Sequence, residues 1–323
     1  MTFRIYHPEI FQGNLKKKQY FEGWYYKHVT SDLKHVWSFI PGISLNEKDP
    51  HAFIQIINGI TGRTDYVSYP IEQFNWDKKK FYIKIGDSIF TETYMDIRIE
   101  KRDIKASGRL SYHNVIKYPK SLLSPGIMGW YSYIPTMECK HGVVSVNHDI
   151  KGSLKINNEQ IDFTEGKGYI EKDWGTSFPE AWLWIQANNF KERESSFNFS
   201  VAKIPWRGKY FIGFIAFLFY NKKFFLFNTY NNSVINIMNH SSDSITLKMK
   251  NRNTTLKVST IKSTFGELRA PVSGHMSRRI KESIDSDLSI SLFDNNNNTL
   301  LYTDSSKRAG LEVIDEIFDY VRH

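Results

Sequence analysis

The sequence predicts an all-β protein that contains two consecutive antiparallel β-barrels or half-barrels. Segments in which apolar and polar residues alternate recur along the whole chain, and turn residues separate them, which is the pattern of antiparallel strands. Asparagines lie between several of these segments, and asparagine tolerates the positive φ of a hairpin tip. Two meanders of barrel size account for the 323 residues better than one very large sheet.

The alternating segments provide strands for both halves of the chain. In chain order they are HAFIQIINGITG, YIKIGDSIF, YMDIRIE, GSLKINNEQIDF, FLFYNKKFFLF, SITLKMKNRNTTLKV and LSISLFDNNNNTLLYT. The asparagines at 157–158, 221 and 295–298 mark expected hairpin tips. We place a domain boundary near Gly166, which gives an N-terminal β domain over 1–165 and a C-terminal β domain over 166–323.

The last segment, RAGLEVIDEIFDYVRH, has a helical pattern. Leu311, Ile314, Phe318 and Val321 recur at the spacing that places side chains on one face of an α-helix. The sequence therefore predicts a C-terminal amphipathic helix that packs against a sheet.

Composition and charge restrict the function. The chain is 41% hydrophobic, 15% aromatic and 24% charged, which describes a folded protein. Its only cysteine, Cys139, excludes an intrachain disulfide and a thiolate-rich metal site. The net charge of +9 comes from short, dispersed basic runs, which favours a solvated basic face over nucleic-acid binding. No apolar run is long enough for a membrane span or a signal peptide, so we expect a cytoplasmic protein that can also contact a membrane surface; the oligomeric state is not determined.

Two distant segments combine carboxylates with aromatic rings. A strand over 169–174 places Tyr169, Glu171 and Asp173 on one face and Trp174 on the other. The segment QYFEGWYYKH repeats this composition near the N-terminus. Its shared face carries Tyr20, Glu22, Trp24 and Tyr26.

A third segment, from 181 to 188, separates aliphatic from functional side chains. Leu183 and Ile185 face one side, which predicts core packing. The other side carries Trp182, Trp184, Gln186 and Asn188. Large rings beside amides that are costly to bury unpaired are typical of a lined cavity, and we expect this face and that of Glu171 to share one pocket.

Each of these residues could also have a purely structural role. Tryptophans on strands are commonly core residues, and an ion pair between Lys172 and a distant acid would explain that lysine without catalysis. His141 and His148 are two histidines without a third ligand at metal-site spacing, so we predict structural histidines and no metal. Cys139 has no motif of a nucleophile. Trp130 lies in a Gly- and Pro-rich loop that is expected to cross or cover another part of the molecule.

Several motifs resemble the tocopherol cyclase family, part of a lipocalin-like group that also contains carotenoid hydratases and cyclising enzymes of natural-product pathways. The matching stretches are YFEGWYYK at 20–27, MGWYSYIPTMECKHGVVSVNHDIKG at 128–152, GYIEKDWGTSFPEAWLWIQANNF at 168–190, LRAPVSGHM at 268–276 and AGLEV at 309–313. They span nearly the whole chain in order. The resemblance implies two lipocalin-like barrels or half-barrels with a ligand cavity near their junction.

The resemblance also implies a reaction. A prenylated hydroquinone is protonated at its first prenyl double bond, and the phenol oxygen adds to the resulting carbocation without metal, nucleotide or redox cofactor. Such chemistry needs a carboxylic acid that stays neutral, and desolvation among aromatic rings disfavours the anion. Glu171 or Asp173 is the candidate acid, and Glu22 is a candidate to hold or deprotonate the phenol.

The remaining candidates bind the substrate. Ring faces would stabilise the cation and exclude water, and the amides would orient the phenol. These candidates are Trp24, Tyr26, Trp130, Tyr169, Trp174, Trp182, Trp184, Gln186 and Asn188. The resemblance therefore implies a cofactor-independent cyclase of the intramolecular lyase or isomerase type that acts on an isoprenoid. The alternative is a non-catalytic, lipocalin-like carrier of an apolar isoprenoid or lipid.

Overall fold

The computed structural model describes residues 2–206 and 208–321 and consists almost entirely of antiparallel β-strands in two large sheets. The predicted all-β fold is therefore confirmed. The described helices are short. They are α1 (Thr2–Ile5) and the 3₁₀ turns Ile71–Gln73, Gly129–Tyr133, Thr229–Asn231 and Asp315–Asp319. Within the described part of the chain, none of them is long and apolar enough to cross a membrane.

The first sheet contains twelve strands in the order β4-β3-β2-β1-β12-β10-β9-β8-β7-β6-β5, with β11 paired to β10. The strands are β1 (Tyr20–Val29), β2 (Val36–Leu45), β3 (His51–Asn58), β4 (Thr64–Pro70), β5 (Phe74–Trp76), β6 (Tyr82–Ile85), β7 (Ser88–Thr91), β8 (Tyr94–Glu100), β9 (Lys105–Ile116), β10 (Cys139–Ile156), β11 (Glu159–Asp162) and β12 (Lys167–Gly175). Val67 on β4 and Ile83 on β6 share one buried core although their strands lie near opposite ends of the order. The sheet therefore curls into a nearly closed barrel around that core.

The second sheet contains ten strands, with the order β16-β15-β14-β13-β22-β21-β19-β18-β17 and β20 paired to β21. The strands are β13 (Trp182–Ala187), β14 (Ser196–Trp206), β15 (Lys209–Tyr220), β16 (Lys223–Asn228), β17 (Val234–His240), β18 (Ser244–Lys250), β19 (Thr254–Ile261), β20 (Gly266–Val272), β21 (His275–Asp294) and β22 (Leu300–Val313). Alternate residues such as Phe197, Phe199, Leu288 and Ile290 form its core.

Asparagine turns connect several hairpins as the sequence predicts. Asn157, Asn221 and Asn298 all adopt positive φ, at 54°, 47° and 56°. The side chain of asparagine tolerates this left-handed conformation better than most others, so these residues close tight turns at low cost.

The chain divides into two compact units, and the division differs from the expected boundary. One unit comprises Met1–Asn58, Arg63–Phe178 and Glu267–Ile280; the other comprises Gly59–Gly62, Pro179–Gly266 and Lys281–His323. The boundary expected at Gly166 falls inside the first unit. The reason is that β12, which follows Gly166, pairs along its length with β1 and β10 of the first sheet.

The predicted C-terminal amphipathic helix is wrong. Leu311 lies in β22, where it pairs with Ile185, and Val313 pairs with Leu183. Only Asp315–Asp319 turns, as a single 3₁₀ segment. Pairing with β13 gives backbone hydrogen bonds to the end of β22, where β-branched Val313 suits a strand. The residues after β22 are too few to form a stable α-helix.

The core of the first unit contains a polar network around two buried histidines. The imidazole Nε2 of His28 lies 2.8 Å from the Tyr112 hydroxyl, and Nδ1 of His148 lies 2.8 Å from the Ser145 hydroxyl. The rings of Tyr112 and His148 contact each other at an interplanar angle of 41°, with centroids 4.3 Å apart. Burial lowers the pKa of His28 from 6.5 to about 3 and lowers the pKa of His148 well below its ordinary value. Both histidines are therefore neutral in the fold.

This network predicts acid lability. Between pH 6.5 and about 3 the unfolded chain binds a proton at His28 that the folded chain excludes, so stability is full above pH 6.5 and falls as the pH drops. The limiting slope is about 1.4 kcal/mol per pH unit for each histidine. Urea unfolding from pH 7.5 to 4.5 measures it. His28→Gln, which keeps an acceptor for Tyr112, should reduce the slope, whereas His113→Gln on the exposed surface should not; an unchanged slope in His28→Gln would contradict the assignment.

Candidate functional site

Strand β12 carries two different sets of functional side chains on its two faces. It pairs with β1 so that Glu22 lies opposite Trp174 and Trp24 lies opposite Lys172. Residues opposite each other in antiparallel strands project to the same face. Glu22 therefore shares the inner, core-facing side of the sheet with Lys172, while Glu171 projects to the outer side.

Glu22 and Lys172 form a fully buried ion pair inside the barrel. The Lys172 Nζ atom lies 2.5 Å from the Glu22 carboxylate, and both side chains have no exposed surface. The carboxylate also accepts hydrogen bonds from the Tyr20 hydroxyl at 2.5 Å and from the backbone N–H of Gln12 at 2.8 Å. The ion pair of Lys172 with a distant acid, an alternative that the sequence left open, is therefore present, and Glu22 lies on the opposite face of the sheet from Glu171 and Asp173.

Lys172 also fastens the N-terminal segment to the barrel. Its ammonium group donates to the carbonyl oxygens of Pro8 and Ile10, each at 2.6 Å. It lies 4.8 Å from the ring centres of both Trp24 and Trp174. Burial lowers the pKa of Lys172, and the Glu22 carboxylate opposes this effect. These contacts satisfy the donors of a charge that would otherwise be too costly to bury.

The inner-face aromatic candidates are core residues. Trp24 is fully buried and donates its indole N–H to the carbonyl oxygen of Glu9 at 2.8 Å. Tyr26 is also fully buried, and its hydroxyl donates to the carbonyl oxygen of Thr91 at 2.8 Å. Neither ring presents surface to a ligand in this structure. The structure thus places both residues, predicted to bind substrate, in the packing of the barrel.

The outer face of β12 carries an acid–base cluster, formed by Tyr169, Glu171, Asp173 and His141. His141 lies opposite Asp173 in the β10–β12 register, and its Nδ1 atom is 2.9 Å from the Asp173 carboxylate. Its Nε2 atom is 3.6 Å from the Glu171 carboxylate. The Tyr169 hydroxyl donates to the same carboxylate at 2.6 Å. One imidazole therefore stands between two carboxylates, and one of these is held by a tyrosine.

The two acids of the cluster differ in their exposure to solvent. Glu171 is 5% exposed, whereas Asp173 is partly exposed, and Tyr169 is fully buried. A carboxylate that is held by a buried hydroxyl and faces an imidazole can exchange a proton without moving far. Asp173 is placed to orient the imidazole by accepting from Nδ1–H when the ring carries that proton. The arrangement is that of a proton-transfer site.

Glycine lets β12 pack tightly beside β10. A Cβ atom on Gly175 would overlap the carbonyl oxygen of Glu138, and Gly175 has φ +153°. A Cβ atom on Gly168 would overlap the imidazole of His148. Because no larger side chain fits at either end, the motif from Gly168 to Gly175 can hold Glu171 and Asp173 at their register with His141.

A loop approaches the acid–base cluster through Met128. The Met128 sulfur accepts the backbone N–H of His141 at 3.1 Å. Two residues later, Trp130 is 48% exposed and stacks on Tyr131, with ring centres 4.1 Å apart. The exposed ring of Trp130 is thus carried by a loop that contacts the strand of His141.

The cluster has donor atoms that suit a divalent metal. One nitrogen of His141 and one oxygen each of Glu171 and Asp173 lie within 4.8 Å of one another. Nitrogen and carboxylate oxygen donors are common in transition-metal sites. The predicted absence of a metal therefore stays a prediction that requires a direct measurement.

Cys139 is unsuited to be a nucleophile. The residue is partly exposed, yet desolvation of its thiol, with the Asp173 and Glu138 carboxylates nearby, raises its pKa well above the ordinary value. The reactive thiolate is therefore scarce at neutral pH.

The remaining predicted site residues lie on β13 or just after it, in the second unit. Leu183 and Ile185 belong to the core, as predicted. β12 and β13 belong to different sheets, and the pocket expected to be shared by this face and that of Glu171 stays a prediction. On the opposite face to the core lie Trp182, Trp184, Gln186 and Asn188, all of them buried.

Two acids that the sequence reasoning missed accompany this face. The Trp182 indole N–H donates to the Glu312 carboxylate at 2.8 Å. Glu312 lies directly opposite Trp184 on one side and Glu282 on the other, and Glu282 has no exposed surface. The predicted role of Trp182, Trp184, Gln186 and Asn188 in substrate binding stays a prediction.

His141 is the functional candidate whose role the sequence reasoning missed. The pattern HGVVSVNH suggested two structural histidines, which holds for His148 in the core. His141 instead meets an acid 32 residues away through the register of β10 against β12. The alternation of β10 would place His141 on a definite face, but only knowledge of its partner strand could have linked it to Asp173.

Comparison with known proteins supports a family assignment. The family described as tocopherol cyclase-like matches residues 95–314. A probable chloroplastic tocopherol cyclase of rice (Oryza sativa subsp. japonica) is 31% identical over 62 residues, and the tocopherol cyclase of maize (Zea mays) is 32% identical over 62 residues. Each match covers 19% of this chain and 13% of the plant protein.

Solved structures share the fold at low sequence identity. CghA with Sch210972 superposes with a TM-score of 0.57 at 8% identity, covering 91% of this chain and 88% of CghA. Kievitone hydratase from Nectria haematococca superposes with a TM-score of 0.52 at 10% identity, covering 94% and 93%. These likenesses concern the fold. Because the family match extends over more than half of the chain, this protein belongs to the tocopherol cyclase-like family.

Proposed function

We propose that this protein is a cofactor-independent enzyme that protonates a carbon–carbon double bond of a prenylated hydroquinone, or of another isoprenoid, and closes a ring through oxygen. The observation that carries the proposal is the position of His141 between Glu171 and Asp173, with Tyr169 bonded to Glu171. Family membership and the cyclase and hydratase names of its relatives support this class of reaction.

The first step is protonation of the alkene. Neutral Glu171 gives its proton to the less substituted alkene carbon, a C–H bond forms from the π electrons, and a tertiary carbocation results. The Tyr169 hydroxyl, 2.6 Å from the carboxylate, stabilises the carboxylate that is left. Glu171 is nearly buried, which limits the water that would compete for the cation.

The second step is ring closure and return of the proton. The phenol oxygen adds to the cation, and its proton passes to the imidazole of His141. Asp173, 2.9 Å from Nδ1, stabilises the imidazolium that forms. Nε2 faces Glu171 at 3.6 Å, so the proton can return to that carboxylate after a small movement. The product is an isomer of the substrate and the enzyme is regenerated.

Aromatic residues supply the rest of the proposed site. Trp130 is exposed on the loop that contacts His141, and we assign its ring to contact the apolar substrate. The parts proposed for Trp182, Trp184, Gln186 and Asn188 remain predictions. The inner face of the barrel carries Glu22, Trp24, Tyr26 and Trp174, which therefore have no place in this mechanism.

A deuterium experiment tests the proposal directly. Purified protein is incubated in D₂O with a prenylated hydroquinone in detergent, and the product is analysed by mass spectrometry. We expect a cyclised product that carries one deuterium bound to carbon. Tight binding of the quinol without any product would instead identify the protein as a carrier and would contradict the proposed catalysis.

Metal removal separates proton transfer from metal catalysis. We expect turnover to be unchanged after dialysis against a chelator, since every proposed step uses protein side chains. Elemental analysis of the same sample measures bound metal. Loss of activity on chelation with recovery on adding Zn²⁺ or Mn²⁺ would contradict the proposal and would assign the donor set of His141, Glu171 and Asp173 to a metal.

A further inference from the structure

A polar cleft lies in the first unit and shares no residue with the acid–base cluster. It has a volume of about 570 Å³, which falls in the range of small-molecule sites. Residues of β3, β4, β20 and β21 and of the loop between β8 and β9 line it. Its cationic side chains are Lys101, Arg102, Arg269 and Arg279.

The guanidinium of Arg269 is held in a fixed position. It lies over the ring of Tyr66, with its central carbon 4.3 Å from the ring centre. The Tyr66 hydroxyl is in turn 2.6 Å from Nε2 of His51. The buried side chain of Gln55 accepts the backbone N–H of Arg269 at 2.8 Å and donates to its carbonyl oxygen at 3.0 Å. These contacts organise the cation before any ligand arrives.

The charge of Arg269 has no carboxylate partner. Among the residues that the structure describes, no acid lies within ion-pair distance of its guanidinium, and its Nε atom is buried without an acceptor. Leaving a buried N–H unsatisfied costs free energy, so the position favours an external acceptor. Arginine offers a planar fork that matches carboxylate and phosphate oxygens.

Other charges around the cleft are partly neutralised by one another. Arg63 contacts Asp65 through two nitrogens, each at 3.2 Å, and Arg279 lies 3.6 Å from Glu267. Asp103 also lines the cleft, on the same loop as the cations Lys101 and Arg102. The lining therefore carries three carboxylates, Asp65, Asp103 and Glu267, and four cationic side chains, which leaves an excess of positive charge.

We propose that this cleft is a binding site for the oxyanion group of a small molecule, a carboxylate or a phosphate, which the guanidinium of Arg269 receives. Lys101 and Arg102, on the exposed loop, add positive potential at the edge of the site. The proposal is independent of the reaction at the acid–base cluster.

Calorimetric titration with two probes tests the site. Inorganic phosphate and succinate are titrated into the full-length protein at low ionic strength, with chloride of matched ionic strength as the reference. We expect saturable binding of at least one probe, and the two titrations decide which oxyanion the cleft prefers. Absence of saturable binding of both probes would overturn the proposal.

Variants identify the arginine. Arg269→Gln keeps much of the side-chain length and removes the charge, so binding should weaken at least tenfold. Arg252→Gln, at an exposed turn of the second unit, is the matched control and should bind as the wild type does. Equal binding by Arg269→Gln and wild type would refute the site.

A measurement on the wild-type protein covers the case in which Arg269→Gln does not fold. Phenylglyoxal modifies accessible arginines, and peptide mapping by mass spectrometry reports the extent at each one. The bound probe should protect Arg269 and leave Arg252 unchanged. Identical modification of Arg269 with and without the probe would count against the proposal.

Discussion

Glu171→Gln is expected to reduce the rate of cyclisation of a prenylated hydroquinone by about 10²–10⁴-fold, the usual contribution of a general acid. Glutamine has nearly the same shape and can still accept the Tyr169 hydroxyl that lies 2.6 Å from Glu171. It cannot donate an acidic proton to an alkene. The loss should therefore affect kcat much more than KM, as measured by initial rates over a range of substrate concentrations.

Controls distinguish catalysis from damage to the fold. Glu100→Gln removes an exposed carboxylate that pairs with Lys105, and it should leave the rate unchanged. Asp173→Asn should also reduce turnover, because the imidazole of His141 loses the carboxylate that stabilises its charged form. If Glu171→Gln and Asp173→Asn both retain wild-type turnover and fold normally, the proposed acid chemistry is wrong.

Lys172→Met is expected to lower the free energy of unfolding by about 3–5 kcal/mol. The substitution leaves the Glu22 carboxylate charged in the barrel core without its cation, which lies 2.5 Å away in the native protein. It also removes the donor to the carbonyl oxygens of Pro8 and Ile10. Denaturant unfolding followed by tryptophan fluorescence measures the change.

A double-mutant cycle separates the ion pair from the other contacts. Glu22→Leu with Lys172→Met should cost less than the sum of the two single changes, because neither charge is then stranded. The double variant stays below wild type, since the Tyr20 hydroxyl and the backbone of Gln12 also lose their acceptor. Lys105→Met, at an exposed pair, should have no measurable effect. If Lys172→Met behaved like Lys105→Met, the stabilising role of the buried pair would be refuted.

Local sequence patterns predicted much of the fold. Alternation placed Leu183 and Ile185 in a core and separated Glu171 from Lys172, because the side-chain period of a strand is a property of the backbone itself. Asn157 and Asn221 marked turns because few other side chains tolerate positive φ. The C-terminal prediction failed at Leu311, where pairing with Ile185 outweighed a helical spacing that spans only a few turns.

By itself, the sequence determined the strand-rich character of this protein, its turns, and the division of each motif into two faces, since these depend on neighbouring residues. Only the tertiary structure decided which faces meet. It places Glu22 and Glu171 on opposite faces of one sheet, pairs Glu22 with Lys172, and places His141 beside Asp173. Strand order and register join residues that are distant in the chain, and no local pattern encodes a partner that lies 32 residues away, as Asp173 does from His141, or farther. The partners of the site residues therefore follow only from the pairing of β12 with its neighbours β1 and β10 in the sheet.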